Sequence, residues 1–143
     1  MRHGFVKAAA ATPDIRVADV EYNTEQICKA IDQACENGAK LIVFPELCVT
    51  GYTCGDLFTQ NALLKASYSG LKKIAAYTKG KDVLAFVGMP FTESGKLYNV
   101  AAAVNGGKVI GFTTKTFLPN YGEFYEICLL YTSDAADEAR SVD

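Results

Sequence analysis

Two residues of opposite charge, Glu46 and Lys115, each come directly after a stretch typical of a β-strand. Glu46 follows an aliphatic run and Pro45, at the carboxyl end of a strand, where open α/β sheets commonly bind ligands. A carboxylate there suits a general base, and a lysine beside a reacting group can stabilise an oxyanion. Position alone leaves a structural interpretation open, in which Glu46 caps a loop or pairs with a surface lysine and Lys115 is solvated.

A polar and aromatic cluster follows Pro119. Its members are Tyr121, Glu123, Tyr125 and Glu126. Such side chains could line a pocket or cover a loop, and their spacing does not decide between the two. By themselves these patterns predict an α/β domain that could carry an active site.

The chain has five cysteines and one histidine among its 143 residues. An odd number of cysteines, without an export signal, indicates free thiols rather than disulfides. No pair has the C-x-x-C spacing, and His3 cannot complete a zinc site with them. We therefore expect no metal site in this chain. The cysteines are Cys28, Cys35, Cys48, Cys54 and Cys128.

Hydrophobic periodicity in the first part of the chain indicates a strand, a helix and a second strand. Short apolar runs predict strands at residues 5–11 and 41–44. Between them, apolar residues at helical spacing predict a helix with Asn23 as a possible N-cap and an end at residues 37–38. This order is typical of an α/β unit.

The second part of the chain predicts one helix and three strands. The helix covers residues 61–78, where apolar side chains line one face. Strands follow at residues 83–87, 97–104 and 108–114, and Asn-Gly at 105–106 between the last two is a hairpin signal. The predicted fold class is α/β with a mixed sheet.

Charge and hydropathy exclude several classes of function. The formal net charge is −2 with both signs interspersed, so the chain lacks a basic patch for nucleic acid or a membrane surface. No apolar run approaches the roughly 20 residues of a membrane span, and the amino terminus lacks a signal-peptide pattern, so we expect a cytoplasmic protein. Glycine motifs that cradle phosphates do not occur, so no dinucleotide or nucleoside triphosphate cofactor is expected in this chain.

Two longer motifs carry a family resemblance. Residues 44–52 read FPELCVTGY and residues 115–126 read KTFLPNYGEFYE, and both resemble the Glu and Lys motifs of the nitrilase, or carbon-nitrogen hydrolase, superfamily. Within that superfamily, residues 11–14, 51–58 and 118–126 are similar to the amino-terminal glutaminase domains of glutamine-dependent NAD⁺ synthetases.

The resemblance implies a four-layer αββα sandwich, of which this chain holds the amino-terminal half. It implies a site in which Glu46 takes and returns a proton and Lys115 stabilises the tetrahedral intermediate. It also implies that Glu126 orients Lys115. The residues implied as walls of a glutamine pocket are Tyr52 and Tyr121.

The cysteine nucleophile that completes such a site is missing from the chain. The family places it in a Cys-Glu-Asp type of motif on a later strand, beyond the Lys motif, and no such motif occurs here. Cys48 and Cys54 lie near Glu46 in the sequence, but we interpret them as buried or loop thiols, and Cys128 is also in the wrong place. The chain as it stands is therefore expected not to hydrolyse glutamine.

The resemblance also implies partners outside this chain. A complete relative hydrolyses glutamine and passes the ammonia to deamido-NAD⁺ activated by ATP, with ATP and Mg²⁺ bound by a carboxy-terminal synthetase domain that is absent here. Complete relatives are expected to form homo-oligomers. Two alternatives stay open: an amidase of the same superfamily that acts on another small amide, and a truncated, non-catalytic subunit that binds a complete homologue.

The end of the chain differs in character from the rest. Residues 127–138 read ICLLYTSDAADE, which resembles the translation of a transposon-end sequencing adapter. We therefore predict a partial glutaminase domain over residues 1–126 and a non-native tail over residues 127–143. Half of a sandwich leaves one sheet face without its partner layer, so the chain is also expected to self-associate.

A long sequencing read of the source DNA across codon 127 tests this boundary. We expect the native frame to diverge from the tail at that point and to continue into a Cys-Glu-Asp motif, because the catalytic site is otherwise incomplete. A genomic read that contains the tail and its stop codon unchanged would contradict the prediction and would favour the non-catalytic subunit.

Overall fold

The computed structural model describes residues 4–118 and 130–131. Helices and strands alternate through the first half of this chain, and two hairpin strands complete it. The elements in chain order are β1 (Ala8–Ala10), α1 (Val20–Glu36), β2 (Leu41–Val43), a short 3₁₀ helix (Gly55–Thr59), α2 (Asn61–Tyr77), β3 (Leu84–Glu93), β4 (Lys96–Asn105) and β5 (Lys108–Thr114).

The strands form one five-stranded sheet in the order β1-β2-β3-β4-β5. β1, β2 and β3 pair in parallel, whereas β3 with β4 and β4 with β5 form antiparallel hairpins. The turn between β4 and β5 has Gly106 and Gly107 at φ 57° and 87°, the left-handed conformations that a two-residue hairpin turn needs. The predicted α/β class with a mixed sheet and this hairpin are confirmed.

The start of α1 corrects the sequence prediction. Asp19, not Asn23, is the N-cap, because its Oδ1 accepts a hydrogen bond from the Tyr22 backbone N–H at 3.1 Å. Asn23 lies inside the helix and is fully buried. The predicted end is confirmed, since Asn37 is the C-cap and Gly38 follows with a φ of 75°.

β3 is longer than the sequence predicted. The strand was expected to end near residue 87, but it runs through Pro90 to Glu93. β2 ends at Val43, opposite Phe86. At Pro90, therefore, β3 pairs with a strand on one side only, and that strand is β4. A proline is tolerated at such an edge position, where its missing N–H breaks no ladder.

Both helices pack on one face of the sheet. α2 occupies the predicted segment and ends at a Thr78 C-cap. No helix in the described ranges is long and apolar enough to span a membrane. Strand residues that face the helices are almost completely buried and form one core with α1 and α2; they are Ile42, Ala85, Val87, Met89, Val100, Ala102 and Val104.

The opposite face of the sheet is apolar and keeps solvent exposure; Val43, for example, is 44 % exposed. Its side chains alternate with those of the core along β1 to β4, as the pleat of a sheet requires. An apolar sheet face of this kind ordinarily packs against another layer. We call this surface the open face; its residues are Ala8, Ala10, Leu41, Val43, Leu84, Phe86, Ala101 and Ala103.

Of residues 127–143, the structure describes Leu130 and Tyr131. The Tyr131 backbone N–H donates to Leu97 O at 2.7 Å, and Leu130 is buried. The predicted boundary at residue 126 and the remainder of that segment lie outside the described residues.

The open face leads to a prediction about association. We expect the 143-residue chain to self-associate as its concentration rises, because this face exposes contiguous apolar side chains. Sedimentation velocity over a concentration series measures the effect. Val43→Lys should shift the distribution towards monomer, whereas Ala66→Lys, on the exposed side of α2, should leave it unchanged. A monomer with one sharp, cooperative thermal transition at every concentration would contradict the prediction.

Candidate active site

Glu46 lies in a tight turn, residues 45–51, which we call the Glu46 turn. Just before it, the Phe44 backbone N–H bonds to Phe86 O of β3 at 3.0 Å. Leu47, directly after Glu46, has a φ of +52°, and its side chain is completely buried. A left-handed leucine is strained, and it persists because the surrounding packing holds it in place.

The Glu46 turn crosses β3 at Gly88. A Cβ atom at residue 88 would lie 2.4 Å from Pro45 O, 2.5 Å from Leu47 N and 2.8 Å from Glu46 Cα. These distances are too short for real contacts, so the crossing requires glycine. The turn is also bonded there, since the Val49 backbone N–H donates to Gly88 O at 3.2 Å. The crossing brings Glu46 within reach of the next strand, β4.

A buried asparagine holds the other end of the Glu46 turn. Asn23 Nδ2 donates to Val49 O at 3.0 Å and to Arg16 O at 2.8 Å, and Asn23 Oδ1 accepts from the Arg16 N–H at 2.8 Å. Ala18 N–H adds a bond to Thr50 O at 2.7 Å. The turn is therefore held from α1 and its preceding loop as well as from β3. These bonds explain why Asn23 is not the N-cap that the sequence predicted.

Lys115 and Glu46 meet at the end of the sheet. Lys115 Nζ donates to Glu46 Oε1 at 2.6 Å, although the two residues are 69 positions apart. Asn99 of β4 donates from Nδ2 to the same oxygen, and Asn99 O accepts the Lys115 backbone N–H at 2.8 Å. The structure therefore brings together the two charged residues selected from the sequence and adds Asn99 as a third.

Sequence reasoning missed Asn99. It lies in the predicted strand at residues 97–104, in which Tyr98 is the only other residue with a polar group, and it is 3 % exposed. A polar side chain is costly to bury in such a strand unless it finds a hydrogen-bond partner. That isolated asparagine was the available signal.

The contact between Glu46 and Lys115 is partly open to solvent. Their side chains keep 37 % and 29 % exposure. One interpretation of the sequence was that Glu46 only pairs with a surface lysine. Glu46 does pair with a lysine, but that lysine is Lys115, the other candidate catalytic residue. A carboxylate and an ammonium group in this arrangement can take a proton from a nucleophile and stabilise charge on a carbonyl oxygen.

Of the other three predicted site residues, Tyr52 is among those that the structure describes. Tyr52 directly follows the Glu46 turn, and it is 37 % exposed. Tyr121 and Glu126 lie outside the described residues. The predicted glutamine pocket walls and the orientation of Lys115 by Glu126 therefore stay predictions.

The cysteines near Glu46 in the sequence are buried thiols. Cys48 Sγ donates to Gly88 O at 3.5 Å, and burial raises the pKa of this thiol to about 12. The Cys54 thiol donates to Thr50 O at 3.2 Å, and burial raises its pKa as well. A thiol with a raised pKa holds little of the reactive thiolate near neutral pH. Cys128 lies outside the part of the chain that the structure describes.

Among the residues that the structure describes, the polar groups around Glu46 do not form a metal site. Within residues 4–118 and 130–131, no group of three or more His, Cys, Asp or Glu side chains is arranged to hold a metal ion. The groups that contact Glu46 Oε1, from Lys115 and Asn99, are hydrogen-bond donors. Such surroundings suit proton transfer better than metal ligation, which needs further acceptor groups.

Sequence comparisons point to one family. The family model described as carbon-nitrogen hydrolase matches residues 7–139. The glutamine-dependent NAD(+) synthetase of Aquifex aeolicus is 42 % identical over 110 residues, which cover 77 % of this chain and 19 % of that protein. The chain spans about a fifth of the length of the curated relatives it matches.

Solved structures share the fold. A glutamine-dependent NAD(+) synthetase from Cytophaga hutchinsonii superposes with a TM-score of 0.86 at 31 % identity, over 91 % of this chain and 22 % of that chain. An amidase from Nesterenkonia sp. has a TM-score of 0.75 at 22 % identity, over 94 % of this chain and 50 % of that chain. The predicted nitrilase-like α/β fold and the resemblance to an amino-terminal segment of such synthetases are confirmed.

Gly88→Ala tests the crossing of the Glu46 turn over β3. We expect the added methyl group to push the turn away and to lower the free energy of unfolding by about 1–3 kcal/mol, measured by urea denaturation of dilute protein. Gly111→Ala in β5 is the matched control, because a Cβ there meets nothing within 4 Å. It should be neutral or slightly stabilising. Equal stability of the two variants would show that the close approach at Gly88 is not required.

Proposed function

This chain belongs to the carbon-nitrogen hydrolase family, and on that basis we propose that it supplies the proton-transfer and charge-stabilising residues of a glutamine-hydrolysing site. The observation that carries the proposal is the contact of Lys115 Nζ with Glu46 Oε1 at 2.6 Å, in a partly exposed position at the end of the sheet. The similarity to proteins named glutamine-dependent NAD(+) synthetases supports glutamine as the substrate.

Amide hydrolysis at this site would proceed in two stages. Glu46 takes the proton of a cysteine thiol, the thiolate attacks the amide carbon of glutamine, and the carbonyl oxygen becomes an oxyanion beside the Lys115 ammonium group. Collapse of the tetrahedral intermediate expels ammonia, which receives the proton from Glu46, and leaves a thioester. Water then attacks the thioester, with Glu46 as base again, and glutamate and the thiol are released.

We assign the nucleophile to a cysteine outside this chain, so the chain alone would be inactive. The burial of Cys48 and Cys54 supports this assignment. Glu126 would orient Lys115, and the pocket walls would be Tyr52 and Tyr121.

The larger protein is proposed by analogy with the relatives. ATP and Mg²⁺ would be bound by a synthetase domain beyond this chain, because this sequence has no phosphate-binding glycine motif. Ammonia would pass to that domain and react there with activated deamido-NAD⁺. We propose a cytoplasmic homo-oligomer without nucleic-acid or membrane partners, whose glutaminase segment in this chain ends near residue 126.

Specific observations favour two other functions. Membership of the carbon-nitrogen hydrolase family, whose description does not specify glutamine, supports hydrolysis of a different small amide. The open face, which is apolar and exposed, supports a non-catalytic subunit that binds a complete homologue. The substrate and the presence of turnover distinguish these functions from glutamine hydrolysis.

Ammonia release from glutamine tests the proposal. We expect turnover by the product of the complete reading frame and none by the 143-residue chain. Glu46→Gln should lower kcat by about 10²–10⁴-fold because it removes the base. Lys115→Ala should lower kcat by about 10²–10³-fold because the oxyanion loses its cation.

Exposed charged residues elsewhere in the sheet provide the controls. Glu93→Gln in β3 and Lys108→Ala in β5 should leave kcat unchanged. Turnover of another amide but not of glutamine would favour the amidase, and full activity of Glu46→Gln would refute the assignment of the base. No turnover of any amide, together with co-purification of a complete homologue, would favour the binding subunit.

A further inference from the structure

Asn99 bonds to both charged residues of the site, through different parts of the residue. Its side-chain Nδ2 donates to Glu46 Oε1, and its main-chain O accepts the Lys115 backbone N–H at 2.8 Å. The residue is 3 % exposed and is fixed within β4 opposite Pro90 of β3. One residue of the sheet therefore sets the place of both Glu46 and Lys115.

The direction of the side-chain bond follows from the chemistry of its partners. An ionised carboxylate only accepts hydrogen bonds, so the amide nitrogen of Asn99 must face Glu46. The Asn99 and Lys115 donors both meet Oε1. A lysine ammonium on a long, flexible stem restrains a carboxylate weakly, whereas a buried amide within a strand restrains it from a fixed point.

We propose that Asn99 is a positioning residue, whose amide holds the Glu46 carboxylate in the orientation that meets Lys115 while its main chain sets the register of Lys115. The proposal rests on the proposed function, in which Glu46 needs its second oxygen for the proton of the nucleophile. A neutral amide suits this role, because an aspartate would repel Glu46 and compete with it for Lys115.

Asn105 provides a matched control in the same strand. Its Nδ2 donates to Val83 O at 2.8 Å, so Asn105→Leu removes a comparable bond away from Glu46. Asn99→Leu keeps the size of the side chain and removes the donor. In Asn99→Ser the side chain is too short to bond to Glu46, but it keeps a polar group. This variant replaces Asn99→Leu in the test if the leucine variant does not fold.

The test is carboxyl footprinting of the dilute 143-residue chain with a carbodiimide and glycine ethyl ester, read by mass spectrometry. Hydrogen exchange of the Lys115 amide is measured in parallel. We expect labelling of Glu46 to rise about tenfold in the Asn99 variants, because a hydrogen bond to a charged group is lost. Labelling of Glu93 and protection of the Lys115 amide should stay at their original values, and Asn105→Leu should leave Glu46 unchanged.

Two results would overturn the proposal. One is unchanged labelling of Glu46 in the Asn99 variants. The other is a joint rise of Glu46 and Glu93 labelling with loss of Lys115 amide protection, which would indicate a general loosening of the sheet. Since footprinting requires no turnover, its outcome is distinguishable from success or failure of the glutamine assay.

Discussion

The close crossing of the Glu46 turn over Gly88 is the constraint on which the candidate site depends. Glu46 follows β2, but the residues it contacts belong to β4 and to the end of β5, so the chain must pass over β3 between them. A side chain at residue 88 would block that path, with its Cβ only 2.4 Å from Pro45 O. The turn also needs restraint from the opposite side. Asn23 supplies it from α1, which couples the first helix to the position of Glu46.

The site and the open face lie on the same side of the sheet. Gly88 pairs with Ala101 and Pro90 pairs with Asn99, and paired residues share a face. Glu46 therefore stands at the end of an apolar surface that includes Ala101. A layer that covers this surface would also lower the access of water to Glu46. Electrostatic contacts strengthen when water is excluded, so association through the open face and the chemistry of the site are physically linked.

Local patterns predicted the elements of this fold better than the contacts between them. Aliphatic runs located the strands, because the periodicity of apolar residues is a local property. The end of β3 was wrong, because the strand continues past Gly88 and Pro90 by pairing with β4. The start of α1 was wrong because Asn23 fits a local capping rule, while its bonds go to Arg16 and Val49. Asn99 was missed for the same reason, since its partner Glu46 is 53 positions away and becomes a neighbour only through the order of the strands.

Several features that ordinarily weaken a fold converge on Glu46. Leu47 has left-handed backbone angles, which are strained for a leucine. Gly88 lies inside a strand, where a residue without a side chain is destabilising. Asn99 is a polar residue buried in an apolar strand. An ion pair as exposed as that of Glu46 with Lys115 contributes only about 0–1 kcal/mol, so it does not offset these costs. Departures from local rules concentrate where function requires a fixed geometry. Their convergence on one carboxylate therefore supports a functional role for Glu46 independently of any family likeness.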